Sequence, residues 1–161
     1  GRIMTAANTE VSRDNAQRLF VSAFAAVLDL QSGRLTYCNA GHDNPYRLHP
    51  SLGEPGRIED GDGPPLCAMP DFDYRSASCQ LLPGEMLCLL TDGITEAQNT
   101  AGDLYGTARV RQVLLALMRG SSGARVAVDT LVADVAAFAG AAEPADDLAV
   151  LALRWRGTDA S

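Results

Sequence analysis

An α+β layered sandwich, with β-sheets flanked by helices, is the fold this sequence predicts. Three observations predict it. Apolar runs of strand length lie at residues 20–30, 85–91 and 148–155. Two helical stripes lie at 106–119 and 124–139. Their order is hairpin and strands, then the helix pair, then a last strand, the layout of helices packed on sheets. No internal repeat or coiled-coil heptad competes with this reading.

Each element has its own warrant. Residues 1–18 read as the tail of a helix (Ile3, Met4, Ala7, Val11), with a polar stretch from Ser12 to Asn15. A helix entered without a cap implies a chain continued upstream, so the domain is expected to be N-terminally truncated. Phe20 to Leu30 is apolar on both alternating faces, as in a strand covered on both sides. Gln31-Ser32-Gly33 then turns the chain, and Arg34 to Asn39 returns as the second half of a hairpin. Ala40 to Pro45 is a loop, followed by a short strand at Tyr46–Leu48.

Between 49 and 71, Pro50, Pro55, Pro64, Pro65 and Pro70 alternate with Gly53, Gly56, Gly61 and Gly63. That composition predicts a long excursion with at most one short strand, around Arg57 to Glu59. Phe72 to Leu82 reads as an extended strand, Pro83-Gly84 as a turn and Glu85 to Thr91 as a strongly apolar strand. Val110, Val113, Leu114, Leu117 and Met118 make one helical stripe over 106–119. Val128, Leu131, Val132, Val135 and Phe138 make another over 124–139, joined to the first through Gly120 to Gly123. Leu148 to Trp155 closes the order as a strand apolar on both faces.

The bulk numbers bound the function. With 161 residues the chain suits one domain with a real core, and 47% hydrophobic against 20% charged residues is a globular composition. A net charge of −7, with no Lys/Arg cluster, argues against nucleic acid and against docking on anionic membranes. No apolar run approaches the roughly 18–20 residues that span a bilayer. The four cysteines form no CxxC pair and have only two histidines for company, so zinc is disfavoured and reduced thiols in a cytoplasmic protein are expected.

Two acidic positions stand out because each lies at the mouth of an apolar strand. Asp92 follows Met86–Thr91, and Asp146 with Asp147 precedes Leu148–Trp155. Carboxylates held half-buried at two strand ends can share a hard cation, and Gly93 leaves room beside the first. Taken singly, Asp-Gly is also a common turn, and Asp146 could cap the chain after Pro144. Glu96 could be a ligand, and reads better as an ordinary residue at the start of a short helix. In the loop Asn39-Ala40-Gly41-His42-Asp43-Asn44-Pro45, His42 could serve as acid/base or anion contact, or make a structural hydrogen bond. His49 reads as solvated. Glu59-Asp60-Gly61-Asp62-Gly63 fails the EF-hand pattern, since Pro64 interrupts it and no Glu closes it. GxxxxGK[ST] and GxSxG motifs are absent.

Together the segments resemble the SpoIIE/RsbU branch of the metal-dependent protein phosphatase (PPM, phosphatase-2C-like) family. Phe20-Val21-Ser22-Ala23-Phe24 with Val27-Leu28-Asp29 resembles the family's core strand. Gly33 to His42 resembles the return strand ending in "NAGH". Pro83-Gly84-Glu85 with Leu89 to Ala97 resembles "PGD…LLYTDGVTEA", and Asp146 to Leu151 the terminal "DDITLL". Leu104-Tyr105-Gly106 matches an aromatic-Gly pair ahead of the family's helix. The likeness runs over residues 8–155, leaving 156–161 as an expected flexible tail.

The resemblance implies a phosphoserine/phosphothreonine protein phosphatase with two Mn²⁺ or Mg²⁺ ions and a water that attacks phosphorus. Asp92 and Asp146 would be metal ligands, with Asp147, Gly93 and His42 in support and no further catalytic side chain. The family's first metal-binding stretch, a "GDxxD"-type strand, would lie upstream of residue 1, so the isolated chain is expected to bind metal weakly and turn over poorly. Ala149 stands where the family usually has Thr, and Cys67 where it usually has Gly. The implied partners are a phosphorylated anti-sigma-factor antagonist as substrate and an upstream sensor or receiver domain, in bacterial signalling. Homodimerisation stays open. The alternatives are a pseudophosphatase or regulatory protein-binding module, which has no need of clustered carboxylates, and a plain divalent-cation scaffold.

Overall fold

The computed structural model describes every residue except 14, 60, 121, 145 and 159–161. In order, the elements are α1 (Arg2–Ser12), β1 (Ala23–Leu28), β2 (Arg34–Ala40), β3 (Tyr46–Leu48), a 3₁₀ turn (Pro50–Leu52), β4 (Gly56–Arg57), β5 (Asp62–Gly63), β6 (Ala77–Gln80), β7 (Met86–Leu90), α2 (Asp92–Thr95), α3 (Gly106–Arg119), α4 (Ala124–Ala139) and β8 (Val150–Arg154). This is the expected α+β class. The chain divides into two compact units: Gly1–Asn44 with Glu59–Pro83 and the end from Gly157, and Pro45–Ile58 with Gly84–Arg156.

In the first unit β1 and β2 form the expected antiparallel hairpin, in register from Ala23 opposite Ala40 to Leu28 opposite Leu35. Asp29 holds the turn by accepting from the backbone N–H of Ser32 and Gln31, and these bonds keep its carboxyl below the usual range. The far edge of β2 is shared: its first half pairs antiparallel with β6, and Asn39–Ala40 pair in parallel with β5. That sharing corrects the sequence reading. The strand expected over Phe72–Leu82 is only Ala77–Gln80, because β5 takes the ladder positions beyond Tyr37. Residues 72–76 lie along α1 instead, where Thr5 Oγ1 accepts from Tyr74 N and donates to Asp73. The 49–71 excursion accordingly holds two short strands where one was expected, and Asp60 of its acidic turn lies outside the described residues.

The helix at the start is real, but its inner face is Met4 and Asn8, one turn apart; Ile3 is 82% exposed. Asn8 is fully buried and satisfied: its amide donates to the Met69 and Pro70 carbonyls, and its oxygen accepts from Cys67 N. A buried polar residue carries no hydrophobic period, so the sequence stripe missed it. β1 was expected to be covered on both sides. Its one strand partner among the described residues is β2, and Val27 is 72% exposed, as on an edge strand.

Cys67, at the position where the resemblance has Gly, has φ +69, in the left-handed region that glycine adopts without steric cost. Cys67→Gly is therefore expected to be more stable than Cys67→Ala by about 1 kcal/mol. Both lose the thiol, so urea unfolding of the pair isolates the backbone effect. Equal midpoints would refute it.

The second unit carries the antiparallel sheet β4-β3-β7-β8 and the helix pair. Both helices begin and end where the periodicity places them. Gly120 and Gly140 close their C-termini by donating to the Ala116 and Ala136 carbonyls. Val110, Leu114, Leu117 and Met118 of α3 meet Ala127, Leu131 and Val135 of α4 over Tyr46, Leu48, Met86, Cys88 and Leu90 of the sheet. Ala127 takes the place expected for Val132, which faces outward. β8 turns Val150 and Ala152 to this core and leaves Leu151 and Leu153 exposed, so it too is covered on one face only.

Two polar clusters brace the unit. Tyr105 Oη donates to Asp134 at 2.6 Å and Arg109 Nε to the same oxygen at 2.8 Å, with the guanidinium against the Tyr105 and Phe138 rings. Arg109, and then Tyr105, hold the Asp134 carboxyl below its ordinary range. The group adds stability above that range and loses it as pH falls through the native value. Glu85 is fully buried and receives Arg47 Nε at 2.5 Å and Arg47 Nη2 at 3.0 Å. The four cysteines are free. Burial pushes the Cys88 thiol up to about 12.

Candidate functional site at the ends of β7 and β8

β7 and β8 are antiparallel neighbours, paired from Met86 opposite Arg154 to Leu90 opposite Val150. Continuing that register past Leu90 brings the residues after β7 beside those before β8. Thr91 N donates to the Ala149 carbonyl at 3.1 Å. The Thr91 hydroxyl accepts from Ala149 N at 2.9 Å and donates to the Asp147 carbonyl at 3.1 Å. One side chain thus clasps the backbone on both sides of Leu148. The sequence reading missed Thr91; its only signal is a hydroxyl residue immediately before Asp-Gly.

Gly93 sits on the other strand end with no room to spare. A Cβ there would lie 2.4 Å from the Asp147 oxygen and 3.0 Å from its carbonyl carbon. The close approach, and no unusual φ, is what requires glycine. Asp92 starts α2, its Oδ1 accepting from Gly93 N at 3.1 Å, and Asp146 Oδ1 accepts from Asp147 N at 2.7 Å. Each strand-end carboxylate is steadied by the next N–H. The structure brings the Asp92-Gly93 and Asp146-Asp147 segments together, and leaves the three carboxylates exposed where half-burial was expected. Glu96 is at the end of α2, not its start, and its N–H donates to the Asp92 carbonyl.

Gly93→Ala is expected to cost about 1–3 kcal/mol, because the methyl must push the Asp147 carbonyl away and loosen the Thr91 clasp. Urea unfolding against wild type measures it; an unchanged midpoint would show that the approach is not tight in solution.

His42 belongs to the first unit. Its backbone N–H donates to Asn39 Oδ1 at 2.9 Å and its Nδ1 bonds to the Asp43 carbonyl at 2.7 Å. Asn39, buried, also donates to the His42 carbonyl and to Asn44 Oδ1. Gly41 has φ +71 and lies against the Pro65 ring, where a Cβ would meet it at 2.5 Å. Asn39 and Gly41 therefore organise this loop, and the His42 bonds are structural in kind. His49 is not merely solvated: Ser51 N donates to its Nδ1, capping the 3₁₀ turn.

As a donor set, Asp92, Asp146 and Asp147 offer hard carboxylate oxygens, the chemistry that suits Mg²⁺ or Mn²⁺. Among the described residues no three His, Cys, Asp or Glu side chains converge as a ready cage. The donor type fits a divalent cation, and the number falls short of a closed site.

Two sheets, the first mixed and the second antiparallel, together with the helices make the PP2C-like phosphatase fold. The chain belongs to the Stage II sporulation protein E (SpoIIE) family, which matches residues 1–156. It is 35% identical over 98 residues to Protein IcfG of Synechocystis, covering 61% of this chain and 15% of that protein. The SiaA-PP2C domain of Pseudomonas aeruginosa superposes with a TM-score of 0.73 at 20% identity, over 93% of this chain and 58% of the other. The manganese-presoaked phosphatase domain of the cell fate determinant SpoIIE from Bacillus subtilis gives 0.67 at 16%, over 94% and 64%. The chain therefore spans less than two thirds of each of these relatives. Among the described residues no helix is long and apolar enough to cross a membrane.

Proposed function

We propose that this chain is the part of a metal-dependent serine/threonine protein phosphatase that supplies Asp92 and Asp146 to the metal site. The observation that carries the reading is the seating of Gly93 against the Asp147 carbonyl, locked by Thr91, which fixes two carboxylate segments side by side at the ends of paired strands. Asp92 and Asp146 would hold the cation, and Asp147, next in the chain, would help to orient Asp146. When bound, Mn²⁺ or Mg²⁺ would supply Lewis-acid polarisation of the phosphoryl group and an acidified water. The protein's own part is to hold the carboxylates rigidly enough to bind in one geometry.

On the family resemblance, the complete metal site has ligands besides Asp92 and Asp146. The substrate is then a phosphoserine or phosphothreonine protein of the anti-sigma-factor-antagonist kind, acted on in the cytoplasm under an upstream sensor or receiver domain. The lack of a three-ligand cluster among the described residues is the one observation that favours a pseudophosphatase or binding module instead.

One assay separates the two. The complete protein, given Mn²⁺, is expected to hydrolyse p-nitrophenyl phosphate and a phosphoserine peptide. EDTA should abolish turnover, and added Mn²⁺ or Mg²⁺ should restore it. No hydrolysis at any metal concentration would favour the binding module, and hydrolysis indifferent to EDTA would remove the metal.

A further inference from the structure

Beside the strand-end pair runs a groove of about 210 Å³ that the carboxylate chemistry does not use. One wall is a stripe of α4, Val132, Val135, Ala136 and Ala139, at i, i+3, i+4 and i+7. Leu148 also lines it, as do Gly93 and Asp146 of the site just described. Val132 and Leu148 are each 39% exposed, so the groove presents open apolar surface at the edge of the candidate site. A dry apolar cavity of about 150 Å³ accepts benzene, so this one has room for a leucine or phenylalanine side chain.

Its rim is acidic. Glu143 and Asp146 line the groove, Asp92 and Asp147 adjoin Gly93 and Leu148 in the chain, and Glu96 precedes the lining residue Ala97. None of the five enters an ion pair formed among the described residues. If Asp92 and Asp146 hold metal, Glu143 still lines the groove with a negative charge that enters no ion pair formed among the described residues. Such a rim attracts a positively charged segment and repels an acidic one.

We propose that this groove is a specificity pocket for the phosphoprotein substrate: it takes an apolar side chain near the phosphorylated serine or threonine, flanked by Lys or Arg that meet the acidic rim. The proposal rests on the phosphatase reading above, and adds to it the kind of sequence the site selects. The groove shares Gly93 and Asp146 with the carboxylate site, so its occupant lies beside the residue being dephosphorylated.

The test compares phosphoserine peptides on the complete protein with Mn²⁺. One set carries Leu at each position from three residues before to three after the phosphoserine, between lysines. A second replaces that Leu by Asp, and a third replaces the lysines by Glu. At one position the Leu peptide should exceed its Asp counterpart about tenfold in kcat/KM, the discrimination typical of an apolar pocket. The Glu-flanked peptide should fall with it, and the difference between Lys and Glu flanks should shrink with added salt. Ala136→Phe, on an exposed helix position, fills the groove and should bring Leu and Asp peptides within twofold of each other; Val132→Asp should do the same by charge. Wild-type hydrolysis of p-nitrophenyl phosphate keeps the two readings apart. Turnover of that ester with no peptide preference, or a preference that survives both variants, would overturn the pocket alone. Absence of turnover on the ester and on every peptide would overturn the phosphatase reading and the pocket with it.

Discussion

Asp92→Asn in the complete protein is expected to lower kcat for phosphoserine-peptide hydrolysis on the order of 10²-fold or more, with little change in thermal midpoint. The asparagine keeps the shape and one carbonyl oxygen, so it can still accept from Gly93 N and start α2. It loses the negative charge that makes a carboxylate the stronger oxygen ligand for a divalent cation. Even residues that only orient a ligand cost 10–100-fold when changed, and removal of the ligand itself should cost no less. Because Asp92 is exposed, stability has little to lose. The informative pairing is activity against Mn²⁺ concentration: excess metal should recover part of the rate if the defect is one of affinity. Undiminished kcat/KM would exclude Asp92 as a ligand.

The second large effect concerns stability. Arg47→Met should destabilise the protein by about 3–5 kcal/mol, the cost of leaving a buried charge without its partner. Glu85 has no exposed surface, and its two carboxylate oxygens accept from Nε and Nη2 of Arg47. In a domain of this size each kcal/mol shifts the melting temperature by roughly 2–4 °C, so a fall near 10 °C is expected. The double variant Arg47→Met with Glu85→Gln should recover much of that loss, since it no longer buries an unpaired carboxylate. Additive single-variant losses would show that the two side chains do not depend on each other.

Glu85 also shows where sequence reading stops. Its place in Pro83-Gly84-Glu85 is visible as a turn before an apolar strand, but nothing in the string says that this carboxylate is buried or that Arg47 reaches it. The two sit 38 positions apart and meet because β3 pairs with β7, placing Arg47 opposite Leu87. Thr91 is similar: its hydroxyl acts on Asp147 and Ala149 only because β8 lies next to β7. Asn8 was invisible for another reason, since it occupies a buried helix position as a polar residue and breaks the pattern that marks burial.

What was legible followed from local physics. The two long helices were read to the residue because stripe and terminal glycines agree, and both are properties of a dozen consecutive residues. The hairpin at 23–40 was legible because a turn joins its halves directly. Asp92 and Asp146 could be singled out because each adjoins an apolar strand.

The sequence by itself determined the α+β class, the helix pair, the hairpin and the acidic positions at two strand ends, all features set within one element or across one turn. Only the tertiary structure decided that Gly93 touches the Asp147 carbonyl, that β5 cuts short the strand expected at Phe72, and that β1 and β8 each leave a face open. These depend on which distant strand becomes a neighbour. Strand pairing is decided by the joint fit of backbone hydrogen bonds and side chains from segments far apart in the chain, and no single window contains both partners.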